Sequence, residues 1–210
     1  MSKSLLLIFI TMITATSWSA DKTCYKGYRL KGQENLPPCK AETVTAETAE
    51  EVIKVHIENE LGDKPRYQSQ KKRVLQVNLI DQVAGEFEGR QIADIEFLVD
   101  PDLTKTVSKN GAVIDIMRVL TALSKDQKIK GSKIARLMLR PYVAASTKQG
   151  TKQILKVEIN MSDLLKIDWT KTGAVGLEEF IKSKGKFVTS PYLIKNGGQH
   201  LVLKSEHLEI

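Results

Sequence analysis

The chain has little of what most often carries chemistry. Its 210 residues include only two cysteines and three histidines. His56, His200 and His207 share no helical or strand spacing with one another, so a histidine metal site would have to be assembled by the fold. Two thiols with no His or Cys beside them do not complete a tetrahedral site either. There is no Gly-x-Ser-x-Gly elbow, no His-Glu-x-x-His pair, no phosphate-cradling glycine loop and no calcium-loop spacing. Internal repeats and low-complexity tracts are also missing. No motif points to a reaction, and none implies a cofactor.

Long apolar runs are absent too, with one exception at the start. Lys3 precedes a nearly unbroken apolar run over residues 5–13, and small polar residues follow as far as Ala20. That layout is a secretory signal peptide. Cutting after Ser19 places Ser17 and Ser19 where small side chains are needed, whereas cutting after Ala20 places the bulky Trp18 there. The expected products are a signal peptide over residues 1–19 and a mature chain starting at Ala20. The run is shorter than the roughly 20 residues of a spanning helix, and Lys22 and Thr23 before Cys24 do not resemble a lipobox. The protein is therefore expected to be exported, periplasmic or secreted, with no transmembrane segment after cleavage.

Export gives the two cysteines a meaning. Cys24 and Cys39 fall just past the signal peptide, with Gly27, Gly32, Pro37 and Pro38 nearby to bend the chain back. In an oxidising compartment this reads as one local disulfide. Closing such a loop is worth about 3 kcal/mol in the chain-entropy model. A redox-active pair would want Cys-x-x-Cys spacing, which the chain lacks. Residues 20–44 then form a stapled arm, and residues 45–210 suit a single domain.

Charge is unevenly spread. Residues 41–63 carry Glu42, Glu47, Glu50, Glu51, Glu58, Glu60 and Asp63 against Lys54 alone. Residues 125–140 reverse the balance, with Lys125, Lys128, Lys130, Lys133, Arg136 and Arg140 against Asp126. Such a basic stretch can attract anionic partners, and a solvated surface whose acidic and basic parts partly compensate explains the same pattern.

Periodicity supplies the elements. Ala49, Val52, Ile53, His56, Ile57 and Leu61 recur at helical spacing after Thr45, a candidate cap, and Gly62 and Pro65 stop the run. Residues 73–80 and 91–99 alternate as strands around Gly85 and Gly89, with Leu75, Val77 and Leu79 on one side. A second helix is expected over residues 112–124, its stripe formed by Val113, Ile116, Met117, Leu120 and Leu123, with Asp115, Arg118 and Thr121 facing away.

Residues 133–145 fit either a helix or a strand. The clean alternation of Leu155, Val157, Ile159 and Met161 beyond Gly150 favours a strand hairpin, in one register with Arg140 opposite Glu158. Pro141 would put that strand at an edge or a bulge. Short helices over residues 162–167 and 176–184 follow. A strand over 187–194, the turn Asn196-Gly197-Gly198 and a strand over 200–204 close the chain as a hairpin. The expected class is α+β: a single domain with a mainly antiparallel sheet built from hairpins and two principal helices packed on it.

Two groups of side chains are candidate sites. Lys128, Lys130, Lys133, Arg136 and Arg140 form an anion-binding set if they converge on one face. Asp94, Glu96, Asp100 and Asp102 could contribute to a hard-cation site, but a wet strand face and an Asp-Pro-Asp turn are the favoured reading, because the six to eight oxygens of calcium are not all supplied. The favoured function is a non-catalytic binding protein that docks on an anionic envelope component or another exported protein through a basic surface. The alternatives are a carrier with an apolar ligand in a sheet-lined pocket, and a hydrolase whose site is assembled only in three dimensions.

Overall fold

The computed structural model describes residue 24 and residues 35–38, 47–65, 71–100, 109–144, 150–191, 193–196 and 200–203. Helix α1 (Ala49–Leu61) begins at Thr48, whose hydroxyl accepts from the Glu51 amide while the Glu51 carboxylate accepts from the Thr48 amide. This reciprocal capping box satisfies two backbone donors that the helix leaves free. The cap is thus Thr48 rather than Thr45, which lies outside the described residues. Val52, Ile53, Ile57 and Leu61 are buried, as their spacing requires, and each contributes about 1.5–3 kcal/mol of transfer free energy. Gly62 ends the helix at φ 88°, ψ 156°, a conformation other residues reach only with strain.

Strands β1 (Val74–Asp81) and β2 (Gln91–Leu98) form the expected antiparallel hairpin. A bulge between Val74 and Gln76 changes which β1 residues face the core. Val74 is buried and Leu75 is turned out, against the expectation that Leu75 continues the inward row of Val77 and Leu79.

After β2 come helix α2 (Lys109–Lys125), the short α3 (Gln127–Gly131) and strand β3 (Ile134–Ala144), so the ambiguous segment is a strand. Asp115 of α2 is buried, not turned to solvent as expected. β3 pairs parallel with β2, and α2 and α3 form the crossover that a parallel pair needs. On its other side β3 pairs antiparallel with β4 (Thr151–Gln153) and β5 (Leu155–Asn160). Leu137 lies opposite Ile159 and Met138 opposite Glu158, so the register is two residues from the expected one. A shift of two preserves which side chains face the core, which is why alternation could not exclude it. Pro141 sits centrally in the sheet rather than at an edge. The bulge separating β4 from β5 faces it, and Ile154 donates to its carbonyl at 3.0 Å.

Helices α4 (Met161–Leu164) and α5 (Ala174–Lys184) lead to β6 (Lys186–Thr189), which pairs with β5. The strand expected over 187–194 is divided: β7 (Leu193–Asn196) leaves the main sheet and pairs with β8 (His200–Leu203) as a separate two-stranded hairpin. The main sheet runs β1-β2-β3-β5-β6 with β4 on β3, and it is mixed but mostly antiparallel. The described residues form an α+β domain with five helices and one principal sheet.

The core lies between the helices and one face of that sheet. Ala93, Ile95, Phe97, Leu137, Leu139, Val157 and Ile159 pack there against Ile57, Ile116, Leu120, Leu123, Leu177 and Ile181. Arg73 is an exception among buried residues, only 1% exposed. Its guanidinium donates to the carbonyls of Leu61, Gly62, Lys64 and Leu98 and to the Asp100 carboxylate. One side chain thereby satisfies carbonyls at the end of α1 and ties them to the end of β2.

Candidate functional site

The sheet face opposite the core carries Asn78, Asp94, Glu96, Arg136, Met138, Arg140, Tyr142, Lys156 and Glu158 on adjoining strands. Pleating sends these alternate residues to one side. Arg140 Nη2 lies 3.0 Å from Asp94 Oδ2, and Arg140 Nη1 lies 3.6 Å from Glu96 Oε1. The Tyr142 hydroxyl donates to Glu96 at 3.2 Å, and Lys156 pairs with Glu158 at 2.6 Å. Arg136 donates from Nε to the Asn160 side chain at 2.9 Å while its guanidinium lies over the Phe87 ring, 4.7 Å from the centroid.

Burial pushes the Asp94 carboxyl above its usual range, with Glu96 adding to the rise and Arg140 opposing it. Burial also raises Tyr142, helped by the Glu96 charge beside it. Glu158 shifts the other way: burial alone would raise it, but the bond and charge of Lys156 hold it low. Asp94 Oδ1 and Arg140 Nε are buried without a hydrogen-bond partner among the described residues. The network is only partly satisfied.

The candidate anion-binding residues divide between two places. Arg136 and Arg140 lie on the polar face of β3, about 13 Å apart along the strand. Both are engaged, Arg136 by Asn160 and Phe87 and Arg140 by two carboxylates. Lys128 and Lys130 instead stand on α3, with Lys125 before them and Lys133 after them, and all four are exposed. The Gln91 amide donates to the Lys133 carbonyl and Arg90 donates to the Ile134 carbonyl, so the exposed Arg90 joins the same corner.

The one acid in that stretch is turned inward. Asp126 caps α3, its Oδ1 accepting from the amides of Lys128 and Ile129 at 2.8 and 3.0 Å. Its Oδ2 meets His56 Nε2 at 2.8 Å. Burial would raise the Asp126 carboxyl, but the His56 bond and the two amides hold it below its usual range. A histidine and carboxylate within reach of each other are what a hydrolase site would need. Here both oxygens are committed to structure, and the neighbouring hydroxyls of Ser124 and Ser132 donate to the carbonyls of Thr121 and Ile129.

The acidic set is not brought together as a donor cluster. Asp94 and Glu96 share Arg140, Asp100 is held by Arg73, and Asp102 lies outside the described residues. No group of three or more His, Cys, Asp or Glu positioned for a metal occurs among the described residues. No helix of the described residues is long and apolar enough to cross a membrane. Residues 1–19 and Cys39 lie outside the described residues, so the signal peptide and the Cys24–Cys39 staple remain expectations.

Arg90, Tyr142 and Lys156 were not candidates in the sequence, because each joins its cluster through a neighbouring strand. Comparison with protein-family models, with curated proteins and with solved structures finds no match, so any functional reading rests on this chain's own residues.

Proposed function

We propose that the protein is an exported, non-catalytic binding protein that docks on an anionic partner through the corner where α3 meets the start of β3. One observation carries this reading: Lys125, Lys128, Lys130 and Lys133 are exposed along one stretch of chain that Arg90 borders at Lys133 and Ile134, while Asp126 is withdrawn to His56 and the α3 amides. The one acid of that stretch is thereby turned away from the surface, and the stretch is left with an excess of cationic side chains. The chain as a whole has a formal charge of +7, which adds to the long-range attraction. Arg136 and Arg140, committed on the sheet face, are not part of this surface. On this reading residues 1–19 direct export and Cys24 and Cys39 close a staple in the arm that precedes α1.

The test is retention of the mature protein on immobilised dextran sulfate and on phosphatidylglycerol vesicles. Retention is expected at low ionic strength and should fall steeply by about 0.5 M salt, where screening shortens to a few ångströms. The triple variant Lys128→Glu, Lys130→Glu, Lys133→Glu should lose it, while Lys171→Glu, distant in sequence and already paired with Asp168, should keep it. Salt-insensitive retention, or equal retention by the triple variant, would sink the reading.

A further inference from the structure

Strand β1 ends the main sheet, and among the described residues no strand pairs with its outer side. Such an edge presents a row of unpaired N–H and C=O groups, which proteins usually blunt by shortness, lysine, proline or a cover. The opposite edge obeys that rule: β6 has four residues and starts with Lys186. β1 does not, since its eight residues, VLQVNLID, contain neither lysine nor proline, and its one bulge lies at its first residues. Leu75 and Ile80 are 39% and 42% exposed, so apolar side chains remain accessible near both ends of the strand.

Charge indicates what would pair there. Helix α1 packs over β1, and on one side it meets its helical neighbours through His56–Asp126 and Glu60–Arg118. At 100° per residue, Glu50, Lys54 and Glu58 lie roughly 100–180° around from those contacts, on the flank that looks out past β1. Glu47 and Glu51 stand exposed at the start of the same helix, and the exposed Asp81 ends β1 itself. The α1 side of the edge is thus acidic, with Lys54 the one cation of the helix there, while Lys64, Lys71 and Lys72 stand before the first residue of β1 with the exposed Asp63. A second copy docking here would bring two such acidic flanks together, which disfavours self-pairing.

We infer that the outer edge of β1 takes up an extended, lysine- or arginine-rich segment of a partner protein by strand addition. Main-chain hydrogen bonds to β1 provide the attachment, and the acids of α1 and Asp81 select basic side chains on the added strand. This site is independent of the cationic corner at α3 and takes a partner of opposite charge.

The probe is a decapeptide alternating valine and lysine, added to the full mature protein and followed by amide hydrogen exchange and by titration. Exchange over residues 74–81 should slow at least about ten-fold at saturation. The double variant Glu47→Gln, Glu50→Gln, which spares the capping carboxylate of Glu51, should weaken binding at least about three-fold at low salt. A fully N-methylated peptide should not bind. The inference is overturned by no binding up to millimolar peptide, by protection elsewhere than β1, or by equal affinity for the N-methylated peptide or for a valine–glutamate decapeptide. Protection of β1 that grows with protein concentration without peptide would identify a second copy as the occupant and would equally overturn it.

Discussion

Asp94 and Glu96, on the same face of β2, share a single cation, the guanidinium of Arg140, which lies 3.0 Å from one and 3.6 Å from the other. Asp94 is 92% buried and carries an oxygen with no hydrogen-bond partner among the described residues. Its raised pKa means that the fold favours the protonated form. The stability linked to this group is therefore full below the unfolded carboxylate value and is lost as pH rises through the folded one. Arg140→Met should destabilise the protein by about 1–3 kcal/mol at neutral pH, less than a fully buried pair would because Arg140 is partly exposed. Acidification to about pH 4 should recover much of that loss, and so should adding Asp94→Asn. Urea unfolding at the two pH values measures both; an equal loss at both would show that the pair does not depend on Asp94 ionisation.

Arg73 should tolerate no substitute. Lysine cannot reproduce a planar fork that serves four carbonyls and a carboxylate, and methionine would leave all five without their donor. Both Arg73→Lys and Arg73→Met are expected to cost about 3–5 kcal/mol, the range for breaking a buried charged network. Thermal unfolding would show this, and a loss under about 1 kcal/mol for the lysine variant would contradict it.

Two glycines should respond in opposite ways to alanine. A Cβ on Gly185 would collide with the backbone carbonyl of Glu158, where the end of α5 crosses β5. The carbonyl belongs to the sheet and cannot swing aside, so Gly185→Ala should cost at least about 1–3 kcal/mol, as overpacking does. A Cβ on Gly131, at the end of α3, would meet nothing within 4 Å. Gly131→Ala should leave stability unchanged or raise it by up to about 1 kcal/mol. Equal unfolding midpoints for the two variants would refute the contrast.

Asp126 supports α3 and holds His56 with the same carboxylate. Because its pKa is lowered in the fold, its contribution is present above the unfolded value and lost as pH falls through the folded one. Asp126→Asn keeps a good helix cap but removes the charge, so its stability should fall less than the parent's between about pH 5 and pH 2. Asp126→Ala also loses the cap and should cost a further 0.5–2 kcal/mol, roughly, at every pH. Parallel stability curves for the parent and Asp126→Asn would contradict this account.

What was legible in the sequence is what depends on near neighbours. The stripe Val52, Ile53, Ile57 and Leu61 and the alternation Leu155, Val157, Ile159 state their burial directly, and both are buried. The hairpin of β7 and β8 followed from its Asn-Gly pair. Asp94 looked like one carboxylate of a wet strand because its cation stands 46 residues away on β3. Leu75 looked inward because a bulge leaves no mark in a period-two pattern. The exposed lysines around α3 could be read from charge alone. The removal of Arg136 and Arg140 from their company could not, since it follows from which strand each arginine faces.

The parallel join of β2 to β3 also sets a sequence of events in time. The β1–β2 hairpin and the hairpin of β3 with β4 and β5 each close over short stretches of chain, but the join between them requires the segment carrying α2 and α3 to be drawn back first. Loop-closure entropy is spent before that contact returns anything, so the seam is where the folding barrier is expected to lie. Truncating Ile116 or Leu120, buried on α2, should slow refolding in stopped-flow measurements, while changes in the loop between β1 and β2 should act mainly on unfolding. Each hairpin alone is marginal in water, and the two become one body only when the crossover joins them.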